Sequence, residues 1–193
     1  MRTTRTVFLE TERLTLRRFT GADADLLGGL HGDPDVMRFI SAAPEPPETV
    51  REEVLPRILR RYQEHRGLGA WAAEERATGA FLGWFELRPC DPGSPVAELG
   101  YRLHRAAWGR GYATEGSRAL VRKAFTELGI ERVVAETMTV NRASRRVLEK
   151  AGLRYVRTFH ATWPEYVEGA EHGDVRYEAE RAARPAGHGP PPS

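Results

Sequence analysis

The sequence predicts one α/β domain with a mostly antiparallel sheet flanked by helices. Segments that alternate apolar and polar residues, as strands do, are interspersed with segments whose apolar residues recur at helical spacing. In the second half of the chain the order is strand, helix, strand, helix and two strands, which indicates a βαβα section. The 193 residues are 40% apolar and 29% charged, enough for one domain with a sizeable core. We predict a single domain over residues 1–183 and a disordered tail over 184–193.

Seven segments are predicted to form strands, because they alternate in polarity or are short apolar runs bounded by turn residues. They are residues 13–19, 69–75, 80–87, 96–104, 132–140, 153–163 and 174–181. The second and third are separated by a short turn, "RATG", which predicts a hairpin. The proline-rich stretch 88–95 is predicted to be a loop.

Four regions are predicted to be helical from the spacing of their apolar residues. They are residues 21–40, 47–67, 112–128 and 142–151. Pro34 should break the first region into short helices. Pro56 should kink or divide the second, since proline lacks a backbone N–H and clashes with the preceding turn. Asn141 is the expected N-cap of the last helix, and Gly152 follows its end.

The composition argues against several classes of protein. No apolar run approaches about 18 residues, so no membrane span is expected. The N-terminus lacks an apolar stretch of signal-peptide length, so a cytoplasmic location is expected. The net charge is only +2 and the basic residues are spread along the chain, which argues against nucleic acid as a partner. Cys90 is the only cysteine, so no internal disulfide is expected, and the six histidines show no metal-ligand spacing, so no metal is expected.

Two glycines flank an arginine in "WGRGYATEG", residues 108–116, between a predicted strand and a predicted helix. Glycine adopts conformations that other residues avoid, so the segment is either a tight turn or a loop whose amides approach an anion. Two common phosphate-binding motifs do not fit. No lysine follows Gly111, as a P-loop requires, and Thr114 stands where a dinucleotide fingerprint has its third glycine. The segment by itself leaves both interpretations open.

A second segment, residues 141–155, joins an Asn N-cap, Ser144 at the third helical position and a glycine stop before a strand. Together with three others it resembles the GNAT superfamily of acyl-CoA-dependent N-acyltransferases, more narrowly the ribosomal-protein N-terminal acetyltransferase-like (RimJ/RimL-type) branch. The four segments, which cover about residues 10–182, are "TERLTLRRFTGADA", "ELGYRLHRAAWGRGYATEG", "NRASRRVLEKAGLRY" and "GDVRYEAER". The resemblance implies a GNAT fold, with a mixed, mostly antiparallel sheet of about seven strands and a splayed central strand pair. Trp108 departs from the superfamily, which usually has Gln or Arg there, but agrees with the branch.

The resemblance also implies acetyl transfer from acetyl-CoA to an amine, and it assigns roles to particular residues. Glu98 would be the general base, directly or through a water, with Glu86 as its rival; otherwise Glu98 pairs with an arginine or faces solvent. Ser144 would donate to the leaving thiolate, or else it only satisfies backbone groups at its helix start. A backbone N–H near Leu103 would stabilise the oxyanion. The residues expected to bind acetyl-CoA are Leu103, Gly109, Arg110, Gly111, Tyr112, Ala113, Thr114 and Asn141.

The resemblance to this branch implies the α-amine of a protein N-terminus as the favoured acceptor. With a pKa of about 8, such an amine is partly neutral at pH 7 and requires only modest help from a base. Two alternatives are open: a small amine, such as an antibiotic, polyamine or amino acid, and a domain that binds acyl-CoA without catalysis. An acidic run between Glu165 and Asp174 either attracts a cationic amine or forms a solvated loop. By the same resemblance, a homodimer is expected.

Overall fold

The computed structural model of the chain describes residues 6–65 and 67–182, and within them one eight-stranded sheet is the centre of the fold. The strands lie in the order β1-β2-β3-β4-β5-β6-β8-β7. They are β1 Val7–Glu10, β2 Leu14–Arg18, β3 Gly69–Glu75, β4 Phe81–Pro89, β5 Val96–Leu103, β6 Arg132–Met138, β7 Arg154–Phe159 and β8 Asp174–Glu180. Neighbouring strands are antiparallel except β5 and β6, which are parallel. The predicted α/β fold class is confirmed.

The sheet contains one strand more than the seven that the sequence predicts. The additional strand, β1, is only four residues long and pairs with β2 through an irregular register. So short a segment carries little periodic signal, and it is held by contacts distant in the chain. Phe8 of β1 stacks on Trp71 of β3, with ring centroids 3.9 Å apart.

Six α-helices flank the sheet in the described residues: α1 Ala24–His31, α2 Pro34–Met37, α3 Pro47–Thr49, α4 Leu55–Glu64, α5 Tyr112–Thr126 and α6 Arg142–Lys150. Pro34 stands at the start of α2, where a missing N–H costs nothing, and Asp33 caps the helix by accepting from the Asp35 N–H at 3.0 Å. Pro56 divides the predicted second helical region as expected. One π-helical turn, Val50–Val54, separates α3 from α4 and widens the backbone just before the proline ring.

The helices form two layers, one on each face of the sheet. One core lies beneath α5 and α6, and the other lies beneath α1 and α4. Because side chains alternate along a strand, β5 presents Leu99, Tyr101 and Leu103 to the α5–α6 side. Its intervening residues therefore face the α1–α4 side, and Arg102 contacts His31 of α1 there.

The parallel pair β5–β6 separates soon after it begins. Only three residue pairs are in register, ending at Glu98 opposite Val134. Five more residues of β5 and four more of β6 continue without pairing to each other, so a gap opens between the strands. The predicted splayed central strand pair is therefore present.

No helix in the described parts of the chain is long and apolar enough to cross a membrane. The predicted tail over residues 184–193 lies outside the described residues, as does residue 183 at the predicted domain boundary.

Candidate active site

The gap between β5 and β6 is edged by backbone groups of β5. The bonds from His104 N–H to the Leu82 carbonyl, 2.9 Å, and from Cys90 N–H to the Val96 carbonyl, 3.1 Å, fix which residues of β5 bond to β4. By the alternation of an antiparallel ladder, the N–H and C=O groups of Leu99, Tyr101 and Leu103 point the other way, toward β6. An extended ligand in the gap would thus meet strand-like donors and acceptors.

The two peptide groups of Leu103, which is predicted to bind acetyl-CoA, have different surroundings. Its carbonyl accepts a hydrogen bond of 2.7 Å from the indole Nε1 of Trp108, while its N–H faces the gap. Trp108 is otherwise 48% exposed, so this bond fixes an exposed ring over the end of β5. The N–H of Leu103 is the part of this residue that can bind a ligand.

The start of α5 lies just beyond that end of β5. Gly109 and Gly111 have φ angles of +71° and +84°, which L side chains rarely adopt. The first intrahelical bond runs from Glu115 N–H to the Gly111 carbonyl at 3.0 Å. The amides of Tyr112, Ala113 and Thr114 therefore have no intrahelical acceptor. The turn leaves these amides open, so it is compatible with the predicted anion site.

Thr11 and Arg13, to which the sequence prediction assigned no role, hold this loop in place. Arg13 donates to the Arg110 carbonyl at 2.9 Å and to Glu115 of α5 at 2.7 Å. Glu115 also accepts from Thr11 at 2.6 Å. Burial alone would raise the pKa of Glu115, but these bonds lower it below its usual value. The signal in the sequence was the segment "TERL", which carried the resemblance without an assigned role.

Arg110, predicted to bind phosphate, is engaged with the protein. Its guanidinium lies 3.2 Å from a carboxylate oxygen of Glu75, which also accepts from the Tyr112 hydroxyl. The hydrogen bond from Tyr112 and that from Thr78 lower the pKa of Glu75. The Arg110 side chain would have to exchange Glu75 for a phosphate to act as predicted.

Asn141 and Ser144 lie on the α5–α6 side. The Asn141 side chain accepts from the Ser144 N–H at 3.1 Å, which confirms the predicted N-cap. The Ser144 hydroxyl accepts from the Tyr101 hydroxyl at 3.2 Å. Burial raises the pKa of the Tyr101 phenol above its ordinary value. A serine and a tyrosine thus converge beside the gap from α6 and β5.

The two candidate bases lie on the opposite face and have different surroundings. Glu98 is the last residue of β5 that pairs with β6, and it forms an ion pair of 2.6 Å with Arg88. Glu86 lies over Gly100 of β5; a Cβ at that position would come within 2.9 Å of the Glu86 carboxylate. Arg61 of α4 is 3.5 Å from Glu86, yet burial raises the pKa of this glutamate. The structure does not bring Glu98 to Ser144, since the two lie on opposite faces of the sheet.

A polar cluster lies next to Glu86. His31 of α1 accepts from Trp84 Nε1 through its Nε2 at 3.1 Å, so the ring hydrogen is on Nδ1, which contacts Glu45 at 2.8 Å. The Arg102 guanidinium lies 3.2 and 3.3 Å from the two ring nitrogens. No residue of this cluster was predicted to be functional.

Residues 13–154 match the family model described as "Acetyltransferase (GNAT) domain". The chain belongs to the GNAT acetyltransferase family. A relative from Aspergillus fumigatus, "FsC-acetyl coenzyme A-N(2)-transacetylase", is 36% identical over 90% of this chain and 76% of its own length. The "Putative ribosomal N-acetyltransferase YdaF" of Bacillus subtilis is 29% identical over 90% of its length and 86% of this chain. The solved structure of spermidine N-acetyltransferase from Vibrio cholerae with CoA and spermine has a TM-score of 0.73 and 16% identity, covering 89% of this chain and 97% of that one.

The predicted family is therefore confirmed, and the ribosomal relative agrees with the predicted branch. This GNAT domain is an acyltransferase. The relatives' names include different acceptors, so they do not identify the acceptor of this chain. Among the described residues, no three His, Cys, Asp or Glu side chains are grouped so as to hold a metal ion.

Proposed function

We propose that this domain binds acetyl-CoA between β5 and β6 and transfers its acetyl group to an amine that enters from the α1–α4 side. The open amides at the start of α5 carry this proposal, because a helix N-terminus with unpaired N–H groups favours a diphosphate. Gly109, Arg110, Gly111, Tyr112, Ala113 and Thr114 would hold the diphosphate. The backbone of Leu103 and the side chain of Asn141 would hold the pantetheine arm.

The thioester supplies the activated acetyl group, and the protein moves the protons. We assign the general base to Glu86 rather than to Glu98. Burial raises the pKa of Glu86, which makes it a stronger proton acceptor, whereas Arg88 holds the Glu98 carboxylate at 2.6 Å. Glu86 also lies beside Gly100, past the point where the strands part, whereas Glu98 lies at that point.

Two groups would assist as nitrogen bonds to the acetyl carbon and the carbon–sulfur bond breaks. The N–H of Leu103 would stabilise the oxyanion. The Ser144 hydroxyl would donate to the departing sulfur, and the Tyr101 hydroxyl, which already donates to Ser144, would support that transfer. Base and acid then act from opposite faces of the sheet through the gap.

The favoured acceptor is the α-amine of a protein N-terminus, supported by the ribosomal relative. A small amine is the second candidate, supported by the spermidine enzyme of similar fold. The pKa of an α-amine is about 8, so it requires a weaker base than a lysine ε-amine, whose pKa is about 10.4. Homodimerisation and a cytoplasmic location stay predictions.

Thermal stabilisation by acetyl-CoA tests the binding step. Saturation at about 100 times the dissociation constant should stabilise the fold by about 2.7 kcal/mol. S-acetylpantetheine, which lacks the diphosphate, should bind much more weakly because it leaves the α5 amides unused. Equal binding of the two ligands, or no shift with millimolar acetyl-CoA, would contradict the proposal. A screen of peptides and small amines that follows release of the CoA thiol then identifies the acceptor.

A further inference from the structure

Arg102 has fewer hydrogen-bond and ion-pair partners than is usual for a charged side chain that is partly removed from solvent. It is half-buried on the α1–α4 face of β5, and loss of solvation lowers its pKa. Its contacts through Nη1 are the His31 ring nitrogens and the Met37 sulfur, at 3.6 Å, and its guanidinium lies 5.2 Å from the Trp84 ring centroid. In residues 6–65 and 67–182, no carboxylate forms an ion pair with Arg102.

A fully buried arginine on the same side of the sheet, Arg17, shows what full pairing looks like. Arg17 of β2 is 1% exposed, donates two hydrogen bonds of 2.9 Å to Asp23 and a third of 2.8 Å to Glu74. Buried charges are normally matched in this way, because removing a cation from water without a partner is unfavourable. The contacts of Arg102 are weaker acceptors, since the Nε2 of His31 already accepts from Trp84.

The two carboxylates that act on Arg102 electrostatically, those of Glu45 and Glu86, contact other side chains. Glu45 contacts His31 at 2.8 Å, and Glu86 has Arg61 at 3.5 Å. Both act on Arg102 only through space, and the charge of Arg57 of α4 opposes them. The guanidinium thus retains donors for an anion from outside the chain.

Arg102 and Glu86 are also placed to meet the same small molecule. Glu86 is opposite Gly100 in the β4–β5 register, and Arg102 is two residues further along β5 on the same face. Such diagonal neighbours are about 7–8 Å apart, and Gly100 adds no side chain between them. An amine directed at Glu86 would have a carboxylate a few bonds away within reach of Arg102.

We propose that Arg102 recognises a carboxylate on the acceptor, so that the acceptor is an amine carrying a carboxylate a few bonds from its nitrogen. This rests on the proposed function. It disfavours polyamines, which carry no carboxylate and would be repelled by the arginine. A free amino acid and a peptide with an acidic first residue share the required chemistry.

Matched acceptors in a CoA-release assay test the proposal. One arm compares amino acids with their amides, and a second compares peptides that begin with Asp or Asn, at equal concentration of unprotonated amine. Wild-type protein should show at least about tenfold higher kcat/KM for the carboxylate member of the preferred pair, mainly through KM, since a charge-assisted bidentate bond to Arg is involved. The arm with the larger ratio identifies the source of the carboxylate.

Arg102→Gln should remove this preference, and Arg102→Lys should retain part of it. Arg60→Gln, an exposed arginine of α4, should leave it unchanged. Acetyl-CoA should stabilise all three variants as it stabilises the wild type, which shows that they are folded and bind the cofactor. An equal preference in wild type and Arg102→Gln, or a faster reaction with spermidine than with every carboxylate-bearing amine, would overturn the proposal.

Direct binding separates this proposal from the proposed function. The preferred carboxylate-bearing amine should raise the melting temperature of the wild type but not of Arg102→Gln, even without turnover. If acetyl-CoA neither binds nor reacts while this ligand difference persists, the proposed function fails and the carboxylate site stands. If none of the carboxylate-bearing amines stabilises the wild type, the carboxylate site is wrong whatever the fate of acetyl-CoA.

Discussion

Glu86 of β4 pairs with Gly100 of β5, only two residues from Glu98, but the surroundings of the two glutamates differ. The Glu98 carboxylate is held by Arg88 at 2.6 Å. Burial raises the pKa of Glu86, while Arg88, Arg61 and Arg102 lower it and Glu98 raises it further. A base with a raised pKa accepts a proton more readily, but it must be ionised to do so.

Glu86→Gln should therefore lower kcat by a factor of about 10² to 10⁴, the usual contribution of general-base catalysis. In the wild type, kcat/KM calculated for the unprotonated amine should fall as the pH drops through a pKa above the ordinary glutamate value of about 4.3. This acid limb should disappear in Glu86→Gln and persist in Glu98→Gln. The pH profile of all three proteins, recorded by CoA release, gives the answer. Loss of the limb in Glu98→Gln alone would return the base to Glu98, the residue favoured by the sequence.

At the level of single residues, the sequence predicted features that short local motifs encode, but it did not predict contacts between residues that are distant in the chain. Asn141 and the glycines before α5 were predictable, because a cap and a left-handed turn are encoded within a few residues. Arg13 contacts Glu115 across 102 positions, and Arg102 contacts His31 across 71. No spacing rule in a single sequence relates residues so far apart.

At the scale of elements, the position of α5 depends on one close contact with the sheet. A Cβ at Gly116 would lie 2.3 Å from the Phe85 ring, which real Cβ atoms essentially never do. The missing side chain lets α5 approach β4, and α5 carries the open amides at its start. Under the proposed function, this contact would couple helix packing to acetyl-CoA binding.

Gly116→Ala should destabilise the protein by about 1–3 kcal/mol through overpacking, despite the better helix propensity of alanine. It should also weaken acetyl-CoA binding by shifting the start of α5. Gly29→Ala in α1, where a Cβ meets nothing within 4 Å, should instead stabilise by about 0.5–1 kcal/mol. Urea unfolding and acetyl-CoA titration measure both effects. In the Phe85→Leu background, Gly116→Ala should lower the free energy of unfolding by less than it does in the wild type. If the effects of the two substitutions simply add, the contact between Gly116 and Phe85 is unimportant.

Periodicity predicted whether a segment forms a helix or a strand more reliably than it predicted where that helix or strand ends. The strand predicted over residues 132–140 ends at Met138, and the helix predicted over 112–128 ends at Thr126. Polarity patterns continue past the last hydrogen bond, so they cannot show where pairing stops. The order of the strands in the sheet required the structure, because β8 lies between β6 and β7 although it follows both in the chain.

At the scale of the whole molecule, a buried ion network joins the first strands to the helices on the α1–α4 side of the sheet. Arg17 of β2 binds Glu74 of β3 and also Asp23, which directly precedes α1. Burial would raise the pKa of Asp23, but hydrogen bonds from Arg17 and Thr20 outweigh it and lower the pKa below its usual value. Because the folded-state pKa is depressed, Asp23 contributes stability above its unfolded pKa and loses it as the pH falls through the folded value.

Asp23→Asn should therefore destabilise the fold at pH 7 by about 3 kcal/mol, because Arg17 stays buried with one carboxylate fewer. The wild type should lose stability as the pH falls below about 3.9, and the variant should lose less over that range. Asp25→Asn is the matched control: Asp25 pairs with Arg51 at 2.8 Å, but its side chain is 90% exposed, so its effect should stay within about 1 kcal/mol. Urea midpoints between pH 2.5 and pH 7 measure these differences. Equal acid sensitivity of wild type and Asp23→Asn would mean that other carboxylates determine acid unfolding, because the depressed pKa of Asp23 would then contribute nothing measurable.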